Sequence, residues 1–130
     1  MKVLSRLTAV ALLAGLLPCA AMAQDFDTGM IPGDHITMPD GAPEASVFLI
    51  SGKDGWGAQE DKQAADLAAK GAAVVGIDLP AYLKTLSADT GDCVYMISDV
   101  EALAHQMQRA GGATQYNPPI VAGIGEGGAL

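Results

Sequence analysis

The residues best placed to do chemistry lie in a glycine-rich segment near the C-terminus. Gly123 and Gly127 have the spacing of the flanks of a nucleophile elbow, G-x-S-x-G, in which glycines relieve crowding in a strained strand-to-helix turn. The position between them that would carry the nucleophile is Gly125, which has no side chain and cannot attack a substrate. The spacing therefore predicts a sharp turn in which the nucleophile position carries no reactive side chain. Its members are Gly123, Gly125, Glu126, Gly127 and Gly128.

Two other interpretations of the same segment are open. Residues 123, 125 and 128 also satisfy the dinucleotide fingerprint G-x-G-x-x-G, but that fingerprint normally follows the first strand of its unit and needs an acidic residue about 20 positions later. Glu126 could instead be a carboxylate nucleophile. A residue at this place in the turn is expected to point away from the nucleophile position, which favours a solvated acid near a helix N-terminus.

Two more loops are expected at the same edge of a sheet, because each follows a buried strand. Residues 51–56 form a glycine-containing loop that could supply one oxyanion-hole donor of a hydrolase, or could simply join a strand to a helix. Lys53 and Trp56 could contact a polar headgroup, although Trp56 could equally cover the first helix. Asp78 and Tyr82 are candidates for a pocket, with capping of local backbone as the alternative for Asp78. The loop is Ser51, Gly52, Lys53, Asp54, Gly55 and Trp56.

The remaining reactive side chains are given structural roles. A catalytic triad of this type needs its histidine after the nucleophile, whereas His35 and His105 both precede the elbow, so each is interpreted as a surface residue. Cys93 has the spacing of an apolar helix face and is predicted to pack in the core. No spacing of histidine, cysteine and carboxylates resembles a metal site, and we predict no cofactor.

The elements that must position these residues alternate in type. Strands are predicted at 45–50, 73–78 and 120–122, and helices at 59–70 and from Asp92, which can cap its helix, to Gly111. Residues 81–91 are predicted to be a loop. The order strand, helix, strand, helix, strand is typical of an α/β protein with a parallel sheet. Residues 24–44 form a turn-rich lead-in in which only 35–38 could make a short edge strand.

The N-terminus predicts export. Lys2 and Arg6 precede an apolar run at 7–17 that Pro18 ends before it could span a bilayer, and an A-x-A pattern predicts cleavage after Ala23. Pro18 fits poorly before a lipidated Cys19. Cleavage leaves five basic against 15 acidic side chains, a formal charge of −10, which disfavours nucleic acid as a partner. It also leaves Cys93 without an intramolecular disulfide partner.

The order of the motifs is similar to that of a known family. They are Leu49–Gly52 with Gly55–Trp56, then Asp61–Gln63, Val74–Asp78 and Pro119–Gly128, and over residues 47–130 they resemble the VirJ and AcvB virulence factors. The resemblance implies an α/β-hydrolase fold exported to the periplasm, linked to type IV secretion and to hydrolysis of aminoacylated phosphatidylglycerol such as the lysyl form. The chain resembles the first domain of the longer AcvB type, whose second domain bears the G-x-S-x-G elbow. Gly125 departs from that elbow, so activity is not carried over.

We therefore expect a signal peptide at 1–23, a lead-in at 24–44, and at 45–130 the N-terminal part of an α/β-hydrolase-like domain with three parallel strands and two helices. This domain is expected to be incomplete, ending at the elbow turn, and for that reason marginally stable. The domain is expected to be non-catalytic and to contact secretion-system proteins, other periplasmic proteins or a lipid headgroup. An esterase completed by further residues and a dinucleotide-binding domain are the alternatives. No transmembrane segment is expected after cleavage.

Overall fold

The computed structural model describes residues 25–91 and 93–130. The predicted signal peptide, its cleavage site after Ala23 and the predicted helix cap Asp92 lie outside these residues. In chain order the elements are β1 (His35–Thr37), β2 (Ala45–Ile50), α1 (Ala58–Ala68), β3 (Ala72–Ile77), α2 (Leu79–Ala88), α3 (Met96–Ala110), β4 (Ile120–Gly123) and a short 3₁₀ helix (Gly125–Ala129).

The strands form one mixed sheet in the order β1-β3-β2-β4. β2 pairs in parallel with β3 on one side and with β4 on the other, so that Phe48 lies between Val75 and Val121. β1 adds an antiparallel edge to β3. The predicted α/β class and the three parallel strands are confirmed, and so is the short strand in the lead-in.

Alternation along β2 and β3 sends side chains to both faces of the sheet, where helices cover them. One face buries Phe48 and Val75 with Leu103 and Met107 of α3, each completely buried. The other buries smaller side chains, with Ala64 of α1 among them. Ile120 and Val121 of β4 remain about half exposed, 53% and 54%, because β4 lies at the edge of the sheet.

The predicted loop at 81–91 is wrong, because residues 79–88 form α2. Asp78 caps this helix by accepting a hydrogen bond from the Ala81 amide at 2.7 Å, and Pro80 lies in the first turn, where a missing N–H costs nothing. Leu79 and Tyr82 are buried on its inner face. Pro80 is compatible with the end of β3, and it also marks the start of a helix.

The N-terminal part of the next helix was also placed incorrectly. α3 begins at Met96, and Cys93 lies before it with an exposed side chain, so the prediction that Cys93 packs in the core is wrong. Ile97, predicted on the same apolar face, is 78% exposed, whereas Val100 and the later members of the stripe are buried. The buried stripe of α3 therefore begins at Val100 and not at Cys93.

Candidate functional site at the carboxyl edge of the sheet

The glycine segment forms a sharp turn at the carboxyl end of β4. The strand ends at Gly123, and the 3₁₀ helix begins two residues later at Gly125. Gly125 has a φ of +55°, in the left-handed region that favours glycine. A Cβ at this position would meet no atom within 4 Å. The position therefore faces open space, and it presents no functional group there.

The two flanking glycines are required by close packing. A Cβ on Gly123 would lie well inside 3.0 Å of the Gly127 backbone, and a Cβ on Gly127 would lie 2.7 Å from the Ile50 carbonyl oxygen and closer still to that of Ser51. The Ile124 amide donates to the Ile50 carbonyl at 2.9 Å, which holds the turn against the end of β2. The predicted reason for these glycines, relief of crowding, agrees with this geometry.

Ser51, the first residue of the 51–56 loop, is fully buried. Its hydroxyl accepts a hydrogen bond from the Leu79 amide at 3.0 Å and donates to the Gly52 carbonyl at 3.2 Å, while its own amide donates to the Ile77 carbonyl at 2.9 Å. The hydroxyl thus joins the end of β2 to the start of α2. It is not presented to a substrate.

The Asp78 carboxylate joins the same loop to α2. One oxygen accepts from the Trp56 amide at 2.8 Å, and the other caps α2. Gly55, with a φ of +87°, allows the chain to turn against this carboxylate, because a Cβ there would lie 2.8 Å from Asp78 Oδ2. Tyr82 is 1% exposed, and burial, together with the negative charge of Asp99, raises the pKa of its hydroxyl. Both side chains are engaged in holding the fold, and a pocket role for them stays a prediction.

Trp56 covers the sheet at Gly76. A Cβ at Gly76 would overlap the indole ring, so this glycine makes room for it. The ring stacks on His35, with centroids 4.8 Å apart and planes 15° from parallel, and its Nε1 donates to the Asp61 carboxylate at 2.7 Å. Trp56 therefore ties the loop to β1 and α1.

Lys53 and Glu126 bring the loop and the turn together. The Lys53 amide donates a long hydrogen bond of 3.5 Å to Glu126 Oε2. The Lys53 ammonium contacts both Asp54 oxygens at 3.0 and 3.1 Å, and this hydrogen bonding, the Asp54 charge and the Glu126 charge raise its pKa. One backbone amide of the loop that could supply an oxyanion-hole donor therefore faces a carboxylate of the same chain.

Sequence reasoning missed the residue that organises the opposite edge of the sheet. Gln108, 3% exposed, donates to the Ser46 hydroxyl at 3.0 Å and to the Asn117 carbonyl at 2.7 Å, and accepts from the Asn117 amide at 2.8 Å. The available signal was its place beside Ala104 and Met107 on the buried face of α3. His105, predicted at the surface, is half-buried because Tyr116 stacks on it at 3.7 Å.

Three depressions in the surface of the described residues lie away from the glycine turn. One of about 250 Å³ is between the end of β1 and α1, and two more, of about 330 and 190 Å³, flank residues 113–115. Across residues 25–91 and 93–130, no three metal-binding side chains converge. In the same part of the chain, no helix has the length and apolar character to cross a bilayer.

These features define an α/β protein with a mixed four-stranded sheet and a glycine turn at the carboxyl end of its edge strand. No protein family, curated protein or solved structure matches the chain.

Proposed function

We propose that residues 45–130 form a hydrolase-like domain that does not catalyse hydrolysis itself and instead contacts or positions partners. The observation that carries the proposal is Gly125. It occupies a left-handed turn between two glycines that tolerate no side chain, at the carboxyl end of a parallel strand, and it faces open space without a nucleophile. The position has the backbone of a reactive site and lacks its chemistry.

Electrostatics at the turn support this proposal. An oxyanion hole works by aiming preorganised donors at a site where negative charge develops. Here the Lys53 amide has the Glu126 carboxylate 3.5 Å away, and this fixed negative charge disfavours a second one at the same place. Ser51, the first residue of the 51–56 loop, accepts a hydrogen bond from the Leu79 amide through its buried hydroxyl and thereby holds α2.

The resemblance to VirJ and AcvB supplies the setting of the proposal. We infer an exported, periplasmic protein linked to type IV secretion, in which ester hydrolysis of aminoacylated phosphatidylglycerol belongs to a serine-bearing domain. The role of the present domain is then to hold a secretion-system protein, another periplasmic protein or the lipid headgroup near that chemistry. The acidic character of the chain, with 15 acidic against 7 basic side chains, favours partners with basic surfaces.

Catalysis is tested with a fluorophosphonate probe for activated serines and with two substrates, p-nitrophenyl acetate and vesicles containing lysyl-phosphatidylglycerol. We expect no labelling and no release of nitrophenol or lysine above the buffer rate. Glu126→Gln is the matched variant. If the unchanged protein turns over a substrate and Glu126→Gln does not, the protein is a carboxylate-dependent enzyme and the proposal is wrong. If the probe labels a serine, the protein is a serine esterase and the proposal is also wrong.

The dinucleotide-binding alternative has less support. Such a site places its glycine fingerprint after the first strand of its unit, whereas the glycine turn follows β4, which comes after β2 and β3 in the chain. Titration with NAD and with ATP while Trp56 fluorescence is recorded distinguishes the two. A saturable change would favour nucleotide binding over the proposed role.

A further inference from the structure

A depression of about 190 Å³, the α3 pocket, lies where the end of α3 meets residues 113–116. Arg109 in the last turn of α3, His105 one turn earlier, and Thr114, Gln115 and Tyr116 of the following loop line it. These side chains offer a guanidinium, an imidazole, a hydroxyl and an amide. No carboxylate lines the pocket, although the chain carries 15 acidic side chains.

The charge in the α3 pocket differs from that of the two other depressions described above. Asp40 lines the one beside β1, and Glu44 lines the second depression that shares residues 113–115. In the described part of the chain, the ion pairs are Lys53 with Asp54 and Lys62 with Asp66, so neither of them neutralises Arg109. A guanidinium with neutral hydrogen-bond donors beside it is suited to a small oxyanion.

The walls of the α3 pocket are held by hydrogen bonds. Gln108, which also lines it, is bonded through both ends of its amide to Ser46 and to the backbone of Asn117. The amides of Gly112 and Ala113 donate back to the α3 carbonyls of Arg109 and Gln108 at 3.0 and 2.9 Å. Both ends of the loop are thereby fixed to α3, which lowers the entropy lost when a ligand binds.

The aromatic side of the pocket is also fixed. Tyr116 stacks on His105, with the two rings 10° from parallel, and its hydroxyl donates to Glu101, four residues before His105 on α3. The hydroxyl is therefore directed away from Arg109, towards the preceding turns of the helix. Glu101 is engaged by this hydrogen bond and does not line the pocket.

We propose that the α3 pocket binds a small oxyanion, a carboxylate or a phosphate group, with the Arg109 guanidinium as its charged partner and Thr114 and Gln115 as neutral donors. The site lies at the opposite end of β4 from the glycine turn, because residues 113–116 precede the strand and the turn follows it. The proposal is therefore independent of whether the turn catalyses a reaction.

The test is a pair of titrations, with sodium phosphate and with sodium acetate, followed by amide chemical shifts of the full chain at constant ionic strength. We expect saturable shifts at residues 109 and 113–116. Arg109→Gln is expected to weaken binding by about tenfold or more, because it removes a charge-assisted interaction. Arg109→Lys should recover part of the affinity. Lys84→Gln, which removes another exposed cation, from α2, should leave it unchanged.

Saturation by phosphate alone would identify a tetrahedral ligand group, and saturation by both anions a less selective oxyanion site. The absence of saturable shifts with both anions would overturn the proposal. So would equal affinities of the unchanged protein and Arg109→Gln, because Arg109 would then serve only to offset the C-terminal charge of the helix macrodipole.

Discussion

Replacing Gly127 with alanine, and separately Gly125 with alanine, distinguishes crowding from backbone conformation in the glycine turn. At Gly127 the added Cβ would lie 2.7 Å from the Ile50 carbonyl oxygen and closer to that of Ser51, and neither backbone atom can rotate away. We expect Gly127→Ala to lower the free energy of unfolding by about 3 kcal/mol, at the upper end of overpacking costs. Gly125→Ala meets no atom within 4 Å and carries only the cost of its φ of +55°, about 1 kcal/mol.

The assay is urea unfolding of the three proteins, followed by circular dichroism and by the fluorescence of the single tryptophan. Equal slopes with different midpoints would show that only stability has changed. Gly112→Ala is a matched control, since Gly112 has a φ of +81° and open space in a distant turn, and it should resemble Gly125→Ala. If Gly127→Ala costs no more than these two, the turn does not pack against β2 as described, and the elbow interpretation is refuted.

Three further predictions concern other parts of the fold. Gly76→Ala should displace the Trp56 indole that lies over it, which a red shift of tryptophan emission would report; an unchanged spectrum would contradict the contact. Gln108→Ala should lower the free energy of unfolding by about 2–4 kcal/mol, because it leaves the partners of three hydrogen bonds unsatisfied, and a change under 1 kcal/mol in urea unfolding would contradict this. Burial, the hydrogen bond to Glu101 and the Glu101 charge raise the pKa of Tyr116 to about 12. Absorbance at 295 nm should therefore show a tyrosine that ionises at high pH, and Glu101→Gln should bring its pKa closer to the ordinary value of about 10. Because the folded-state pKa is the higher one, the stabilisation is present below the unfolded value near 10 and is lost as the pH rises towards 12.

The parallel strands could be predicted because their signals are local. The apolar run Ala45–Ile50 ends at Ser51 and Gly52, and burial on both faces makes such a strand continuously apolar. α2 could not be placed with the same rules, since Pro80 is compatible both with a strand end and with the first turn of a helix. Only the capping contact of Asp78 decides between them. Gln108 was missed for a similar reason, because one of its partners, Ser46, lies 62 residues away.

The candidate site was predictable in part. The spacing of Gly123, Gly125 and Gly127 indicates a tight turn, and the positive φ of Gly125 agrees with it. The roles of the polar side chains around the turn depend on contacts between distant segments. Ser51 holds α2 through an amide 28 residues away, and Glu126 reaches an amide 73 residues away. Residue type alone indicated that these groups could act on a substrate. It could not indicate that hydrogen bonds within the protein already engage them.

That occupation links the fold to the proposed function. At the carboxyl edge of the sheet, the Ser51 hydroxyl and the Asp78 carboxylate accept hydrogen bonds from backbone amides, and the Glu126 carboxylate faces the Lys53 amide. A catalytic edge must leave its donors and acceptors free for the transition state, because only interactions gained there accelerate a reaction. Where the polar side chains of an edge already accept hydrogen bonds from backbone amides, those bonds stabilise the fold instead. The glycine at position 125 completes this pattern, which supports the proposal that this edge contacts a partner and does not transform a substrate.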